Sequence, residues 1–322
     1  MPRLHVPREP RNDETEQRSQ NGHHTNHSHH EQNSPTKEHR PHLSKGSKGH
    51  HGHPHISPAQ GHFIAATGEF VGTFMFLYFS FMCQVMLSSQ ASDVSLMNRG
   101  ASSQTNIFTA LIYGFSLLVN VWAFFRISGG LFNPAVTFGM VLAGQLPPIR
   151  GLCLFPAQLL AGMCAAALVS CMIPGDIRDT NTTLAPGTSI AQGVFIEMFM
   201  TAELVFVVLM LAAEKSKTTF IAPVGIGLAL FVAMMGGVYY TGGSLNPTRS
   251  FGPAVAGTQF PGYHWIYWVG PFLGGAIAAG YYRFVKYFNY EQVNPGQDSS
   301  AGEFVPKEIR ELSRGRGSGA QV

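Results

Sequence analysis

The sequence predicts an all-α membrane protein with six transmembrane helices, two re-entrant half-helices and an inverted repeat. Three observations carry that prediction. Residues 63–287 are apolar, Gly-rich and poor in charge, whereas the stretches before and after them are polar. Six apolar runs in the middle stretch are each about long enough to cross a bilayer, which takes about 20 residues. Two Gly-rich boxes, Gly129-Gly130-Leu131-Phe132-Asn133-Pro134-Ala135-Val136 and Gly242-Gly243-Ser244-Leu245-Asn246-Pro247-Thr248-Arg249, lie 113 residues apart (246 − 133).

In chain order, residues 1–60 form a polar, His-rich tail. Thirteen of the 14 histidines lie at or before His62. Stretches such as His50-His51-Gly52-His53-Pro54-His55 read as a disordered polar extension. Binding a metal or sensing pH is the alternative for them. No apolar segment at the start reads as a signal peptide. Residues 61–288 form the membrane domain. Its long runs are Phe63–Leu87, Ile107–Phe125, Leu152–Ile173, Ala191–Ala213, Phe220–Tyr240 and Tyr263–Tyr287. Two pieces, Pro134–Gly144 and Pro247–Ala256, are too short to span at about 1.5 Å per residue. Each follows an Asn-Pro box and reads as a half-helix that enters the membrane and turns back. Residues 289–322 form a second polar tail.

Pro suits the first turn of a helix, where its missing N–H costs nothing. Asn before it is a strong N-cap. The glycines let each arm run extended and expose its carbonyls. Each half carries an early acid (Glu69, Glu197), a second span, an Asn-Pro piece and a third span. Three spans per half oblige the second half to cross in the opposite sense, which places a site at the repeat interface near the midplane. Arg126, Arg150, Lys215, Lys217, Arg283 and Lys286 assign one side as cytoplasmic, together with both tails. Arg99 and Arg178 are the minority on the outer side. Asn181-Thr182-Thr183 on that side is a glycosylation sequon. Asn26-His27-Ser28 also fits the pattern but would be cytoplasmic and unmodified.

Half-helices placed end to end bring their N-termini together. Asn133 and Asn246 then offer side-chain N–H groups to a common point, and two positive dipole ends repel cations there. Carbonyls of Gly129, Gly130, Leu131, Gly242 and Ser244 supply acceptors. Arg249, at membrane depth, faces a cavity rather than lipid.

The paired boxes, with Phe125-Arg126-Ile127-Ser128 leading into the first, resemble aquaporins (the major intrinsic protein family), fungal members in particular. The resemblance covers about Phe63–Tyr287. It implies a passive channel for water and small neutral permeants, a homotetramer in the lipid bilayer, and no enzymatic activity or cofactor. It places pore motifs on Asn133, Pro134, Ala135, Asn246, Pro247 and Thr248, where Thr248 departs from the family's usual Ala. It places an outer selectivity filter on Tyr113, Met234, Gly243 and Arg249. Met234 stands where strict water channels have His, so the pore either widens or stays water-sized. Phe76, Leu117, Leu204 and Leu230 align with pore walls, and Glu69 and Glu197 with buried structural acids. Ser250 and Ala254 stand where glycerol facilitators have an Asp and a basic residue, so an orthodox water channel with an atypical filter is expected. Hydrogen peroxide is the expected extra permeant. Glycerol passage and a closed-pore structural protein are the alternatives. The resemblance also implies a multi-pass protein of the plasma membrane. Scattered basic residues give no nucleic-acid site. Cys83, Cys153, Cys164 and Cys171 lie in apolar runs, so no disulfide framework is expected. Glu203 reads as a satisfied interhelical contact, with a proton-active site as the alternative, and Ser216 as an ordinary loop serine, with phosphorylation as the alternative.

Overall fold

A computed structural model describes residues 56–94, 103–214, 216 and 219–294. All belong to one compact unit that begins at Pro54. The sequence readings of the polar tails over 1–55 and 295–322, and of Arg99, Lys215 and Lys217, concern residues outside this set.

Among the described residues, eight α-helices run in order: α1 (Pro58–Val94), α2 (Ser103–Phe124), α3 (Pro134–Leu142), α4 (Pro148–Met172), α5 (Ile190–Val208), α6 (Ala222–Thr241), α7 (Pro247–Ala256) and α8 (Ile266–Tyr287). A π-helical turn, Leu209–Ala213, continues α5. Among the described residues, five helices are both long and apolar enough to cross a membrane: α1, α2, α4, α5 with its π turn, and α6. α8, at 22 residues, has the length of a sixth. Its Gly- and Tyr-rich sequence ends with Arg283 and Lys286 and is less apolar. The half-helices α3 and α7 have nine and ten residues.

Helix starts follow local chemistry. Ser57 and Gln60 cap α1 reciprocally, Ser57 N donating to Gln60 Oε1 at 2.8 Å and Gln60 N to Ser57 Oγ at 3.2 Å. Ser189 and Gln192 repeat the device on α5. These boxes satisfy N–H groups that a helix start leaves orphaned. The first box starts α1 at Pro58, ahead of the expected domain boundary at residue 61.

The packing repeats under exchange of the two halves. α1 packs on α4 as α5 packs on α8, and α3 packs on α8 as α7 packs on α4. α2 and α6 pack on each other at the centre. Glycines set these crossings. A Cβ at Gly114 would lie 2.9 Å from Gly227 O, and one at Gly227 would lie 2.7 Å from Gly114 O. Gly139 of α3 faces Gly275 of α8, and Gly252 of α7 faces Gly162 of α4. Equivalent glycines in the two halves are again offset by 113 (227 − 114, 252 − 139, 275 − 162), so the close approaches themselves obey the repeat. Small residues let membrane helices approach closely.

The outer faces expose large apolar side chains such as Phe199, Val119 and Leu152, at 65%, 60% and 74%. In water such faces would be unfavourable; against lipid tails they are the expected surface. The core holds the polar groups instead, with Glu69, Glu197, Gln158 and Arg249 all at or below 1% exposure.

Candidate functional site

The boxes fold as helix starts, yet their arms are not extended runs. Gly129, Gly130 and Phe132 have φ of 105°, 67° and 50°, and Gly242, Gly243 and Leu245 have 81°, 63° and 51°. The expectation of extended arms is corrected here: each arm turns through left-handed backbone, and the turn aims its carbonyls. Two of the six residues, Phe132 and Leu245, are not glycine. A bulky residue in that region is an outlier that the surroundings must hold.

What holds them is a buried carboxylate in each half. Glu69 accepts from Leu131 N at 3.0 Å and Phe132 N at 2.8 Å. Glu197 accepts from Ser244 N at 2.9 Å and Leu245 N at 2.7 Å. Further donors saturate each acid: Ser128 Oγ and Gln158 Nε2 on Glu69, both at 2.7 Å, and Thr241 Oγ1 on Glu197 at 2.6 Å. Burying a carboxylate without such partners is very costly. Gln158 also donates to Thr137 Oγ1 at 2.9 Å, tying α4, α1 and α3 together.

Asn133 and Asn246 cap α3 and α7, their Oδ1 atoms accepting from Ala135 N at 2.8 Å and Thr248 N at 3.0 Å. Each amide then reaches across to the other box. Asn133 Nδ2 donates to Leu245 O at 2.8 Å, and Asn246 Nδ2 donates to Phe132 O at 2.9 Å. The two half-helices thus meet N-terminus to N-terminus, locked by reciprocal bonds. A primary amide carries a second N–H on the same nitrogen, and both asparagines line a shared cavity. Pro134 and Pro247 occupy the first helical turns. Thr248 packs against Gly162, where a Cβ would come within 2.3 Å of Thr248 Cγ2.

That cavity is lined by Phe76, Tyr113, Leu117, Gly130, Leu131, Asn133, Leu204, Leu230, Met234, Ser244, Asn246 and Arg249, with Val136, Val208, Ile226 and Leu245. The free space within it is about 20 Å³, where a single water needs about 10–15 Å³, so the cavity is narrow. Gly129, Gly242 and Gly243 are not among the lining residues. Gly243 lies against Met234, whose Cε would be 3.1 Å from a Cβ at that glycine. The Gly242 carbonyl faces Arg249 Nη2 at 3.4 Å.

Arg249 is 1% exposed. Nη1 donates to Thr180 O and Nη2 to Gln84 Oε1 at 3.1 Å. Its guanidinium carbon stands 4.8 Å from the centre of the Tyr113 ring, a cation–π contact. Nε is buried without a protein partner among the described residues. Thr180 O is presented by a 3₁₀ turn, Ile177–Thr180, capped by Asp176. The hydrogen bond from the Arg178 side chain holds the Asp176 carboxyl below the usual carboxylate range.

The sequence reading missed the side chains of Gln84 and Gln158 and the backbone carbonyl of Thr180. The two amides stand inside otherwise apolar runs, and a polar residue at membrane depth is itself a signal of function. Asn181 is the reverse case. Its Nδ2 donates to Gln259 Oε1 at 3.0 Å, its Oδ1 is buried, and Thr182 is 2% exposed. Asn181 is half-buried and Thr183 is exposed, so the sequon lies at the surface with its amide engaged by Gln259.

Five helices long and apolar enough to cross a membrane, a sixth of the same length, two half-helices that meet head to head and a narrow lined cavity define a multi-pass helical membrane channel. The major intrinsic protein profile matches residues 59–282, and the chain belongs to that family. It is 64% identical over 245 residues to "Probable aquaporin-3" of Gibberella zeae, covering 76% of this chain and 85% of that protein. It is 54% identical to "Aquaporin-7" and 56% identical to "Aquaporin-2" of Botryotinia fuckeliana, covering 79% and 76% of this chain. The matches span 56% and 64% of those two longer proteins. An aquaglyceroporin structure from Plasmodium falciparum superposes with a TM-score of 0.58 at 19% identity, covering 70% of this chain and 95% of that one, and shares the fold. The protein is a passive channel for water or small solutes and not an enzyme.

Proposed function

We propose that the chain conducts water and hydrogen peroxide and excludes protons and ions. The observation that carries this is the narrow cavity lined by Asn133, Asn246 and Arg249 together. Both half-helix N-termini point at the asparagine pair, so the local field opposes cations. A water that accepts from both amides donates elsewhere and does not relay a proton. The remaining lining is mostly apolar, with Phe76, Leu117, Leu204 and Leu230 as walls, so bound solute is held weakly. Gly130, Leu131 and Ser244 supply carbonyls.

Tyr113, Met234, Gly243 and Arg249 form the outer filter in this reading. Met234, fully buried against Gly243, fills the room that the missing imidazole would leave. That supports a water-sized passage. Peroxide matches water closely in size and hydrogen bonding, whereas glycerol is larger.

The assembly is a homotetramer of the plasma membrane with both termini cytoplasmic. Glu203 supports a subunit contact: it is exposed on α5 near the middle of a span. A carboxylate facing lipid at that depth is costly, and a neighbouring copy on that face removes the exposure. Orientation is supported by one basic end. Arg150 Nε donates to His62 Nδ1 at 2.8 Å, and Lys286 pairs with Glu214 at 3.2 Å.

Stopped-flow permeability of reconstituted vesicles to water, peroxide and glycerol in parallel tests the reading. Water and peroxide fluxes above protein-free vesicles, with glycerol at background, are expected. Glycerol flux matching peroxide would make it a glycerol facilitator, and no flux of any kind would make it a closed structural protein.

A further inference from the structure

We propose that Gln84 is the positioning residue of the outer constriction, fixing Tyr113 and Arg249 by one shared hydrogen-bonded oxygen. The inference rests on the reading of Tyr113 and Arg249 as filter residues. Gln84 lies on α1, a helix that contributes none of the four filter positions, and it does not line the cavity. Its Oε1 accepts from Tyr113 OH at 2.7 Å and from Arg249 Nη2 at 3.1 Å. Its Nε2 donates to Asp179 O at 3.1 Å. Arginine only donates and a carbonyl only accepts, so the amide has one orientation that satisfies all three bonds.

The consequence is a clamp. Arg249 is held from one side by Thr180 O and from the other by Gln84, with the Tyr113 ring packed on its guanidinium. Tyr113's hydroxyl is drawn away to Gln84, which leaves the ring and not the hydroxyl to shape the opening. Arg249 Nε is the donor that faces no protein acceptor among the described residues. Width and donor placement at the constriction therefore depend on a residue behind it. Hydrogen bonds to a charged group are the stronger kind. Without Gln84, Arg249 and Tyr113 gain freedom to swing apart, and larger solutes pass.

The experiment is the glycerol-to-water permeability ratio of reconstituted vesicles carrying Gln84→Met, Tyr113→Phe, both together, or Arg249→Val. Met keeps the length and packing of Gln and removes the acceptor. Gln84→Met is expected to raise the ratio about tenfold, the scale of one lost charge-assisted bond. Tyr113→Phe is expected to raise it in the native background and to change it little when Gln84 is already Met. An unchanged ratio in Gln84→Met, or equal effects of Tyr113→Phe in both backgrounds, overturns the proposal while Arg249→Val still shifts the ratio. If Arg249→Val also leaves the ratio unchanged, the filter reading itself fails. Should Gln84→Met not insert, Tyr113→Phe carries the test, because it deletes one oxygen and disturbs no packing. An unchanged ratio in that variant overturns the clamp.

Discussion

At the scale of residues, the centre of the protein is two asparagines that each do two things. Oδ1 caps a half-helix and Nδ2 ties down the opposite box. Asn246→Ala removes both at once. It should cost about 1 kcal/mol for the lost cap and more for the orphaned Phe132 carbonyl. Thermal unfolding of the purified protein should show a lowered midpoint, and water flux per molecule should fall about tenfold if the barrier rises by about 1.4 kcal/mol. Glu69 and Glu197 allow a sharper comparison. Glu197→Gln replaces an oxygen that accepts N–H by an NH₂ that cannot, facing Ser244 N or Leu245 N. A loss of about 1–3 kcal/mol is expected, read as a lower unfolding midpoint. Asn133 and Arg249 were legible in the sequence because each lies within an Asn-Pro box, and the two acids because each sits early in the first span of its half. Gln84 was not, because its bond to Arg249 joins residues 165 apart. α1 and α7 each pack on α4 and on the Ile177–Thr180 turn, and that shared support brings the two residues together.

At the scale of elements, the sequence pattern predicted where helices begin but not how the arms between them run. Asn-Pro marks the starts of α3 and α7 directly. The arms needed information the sequence does not display: that Phe132 and Leu245 take left-handed backbone because Glu69 and Glu197 seize their N–H groups. Gly pairs announce permissiveness, not direction. The α2–α6 crossing makes a separate prediction. Gly114→Val would thrust a branched side chain at Gly227 O and Phe231, within 2.9 Å already at Cβ. Overpacking of this kind costs about 1–3 kcal/mol, so the variant should show reduced yield of folded protein in the membrane fraction. Gly236→Ala on the partner helix α6, where a Cβ meets nothing within 4 Å, should behave as wild type in the same assay.

At the scale of the whole molecule, one offset runs through each half from its second span onward. The asparagines, the left-handed arm residues, the crossing glycines and the wall pair Leu117 and Leu230 all repeat at 113 (for the walls, 230 − 117). The repeat was readable in the sequence, since it recurs in short motifs. The face of α5 that carries Glu203 was not, because a single span does not say which side meets lipid. Glu203 supports a neighbouring subunit there, and native mass spectrometry of detergent-solubilised protein should find four copies. A monomer as the sole species would contradict that part of the proposal. The claim that two half-helix ends and Arg249 admit neutral solutes and bar charge is tested most directly by measuring water flux and proton leak in the same reconstituted vesicles. Water flux well above protein-free vesicles, with proton leak unchanged from them, is the predicted result. A proton leak that rises together with the water flux would contradict it.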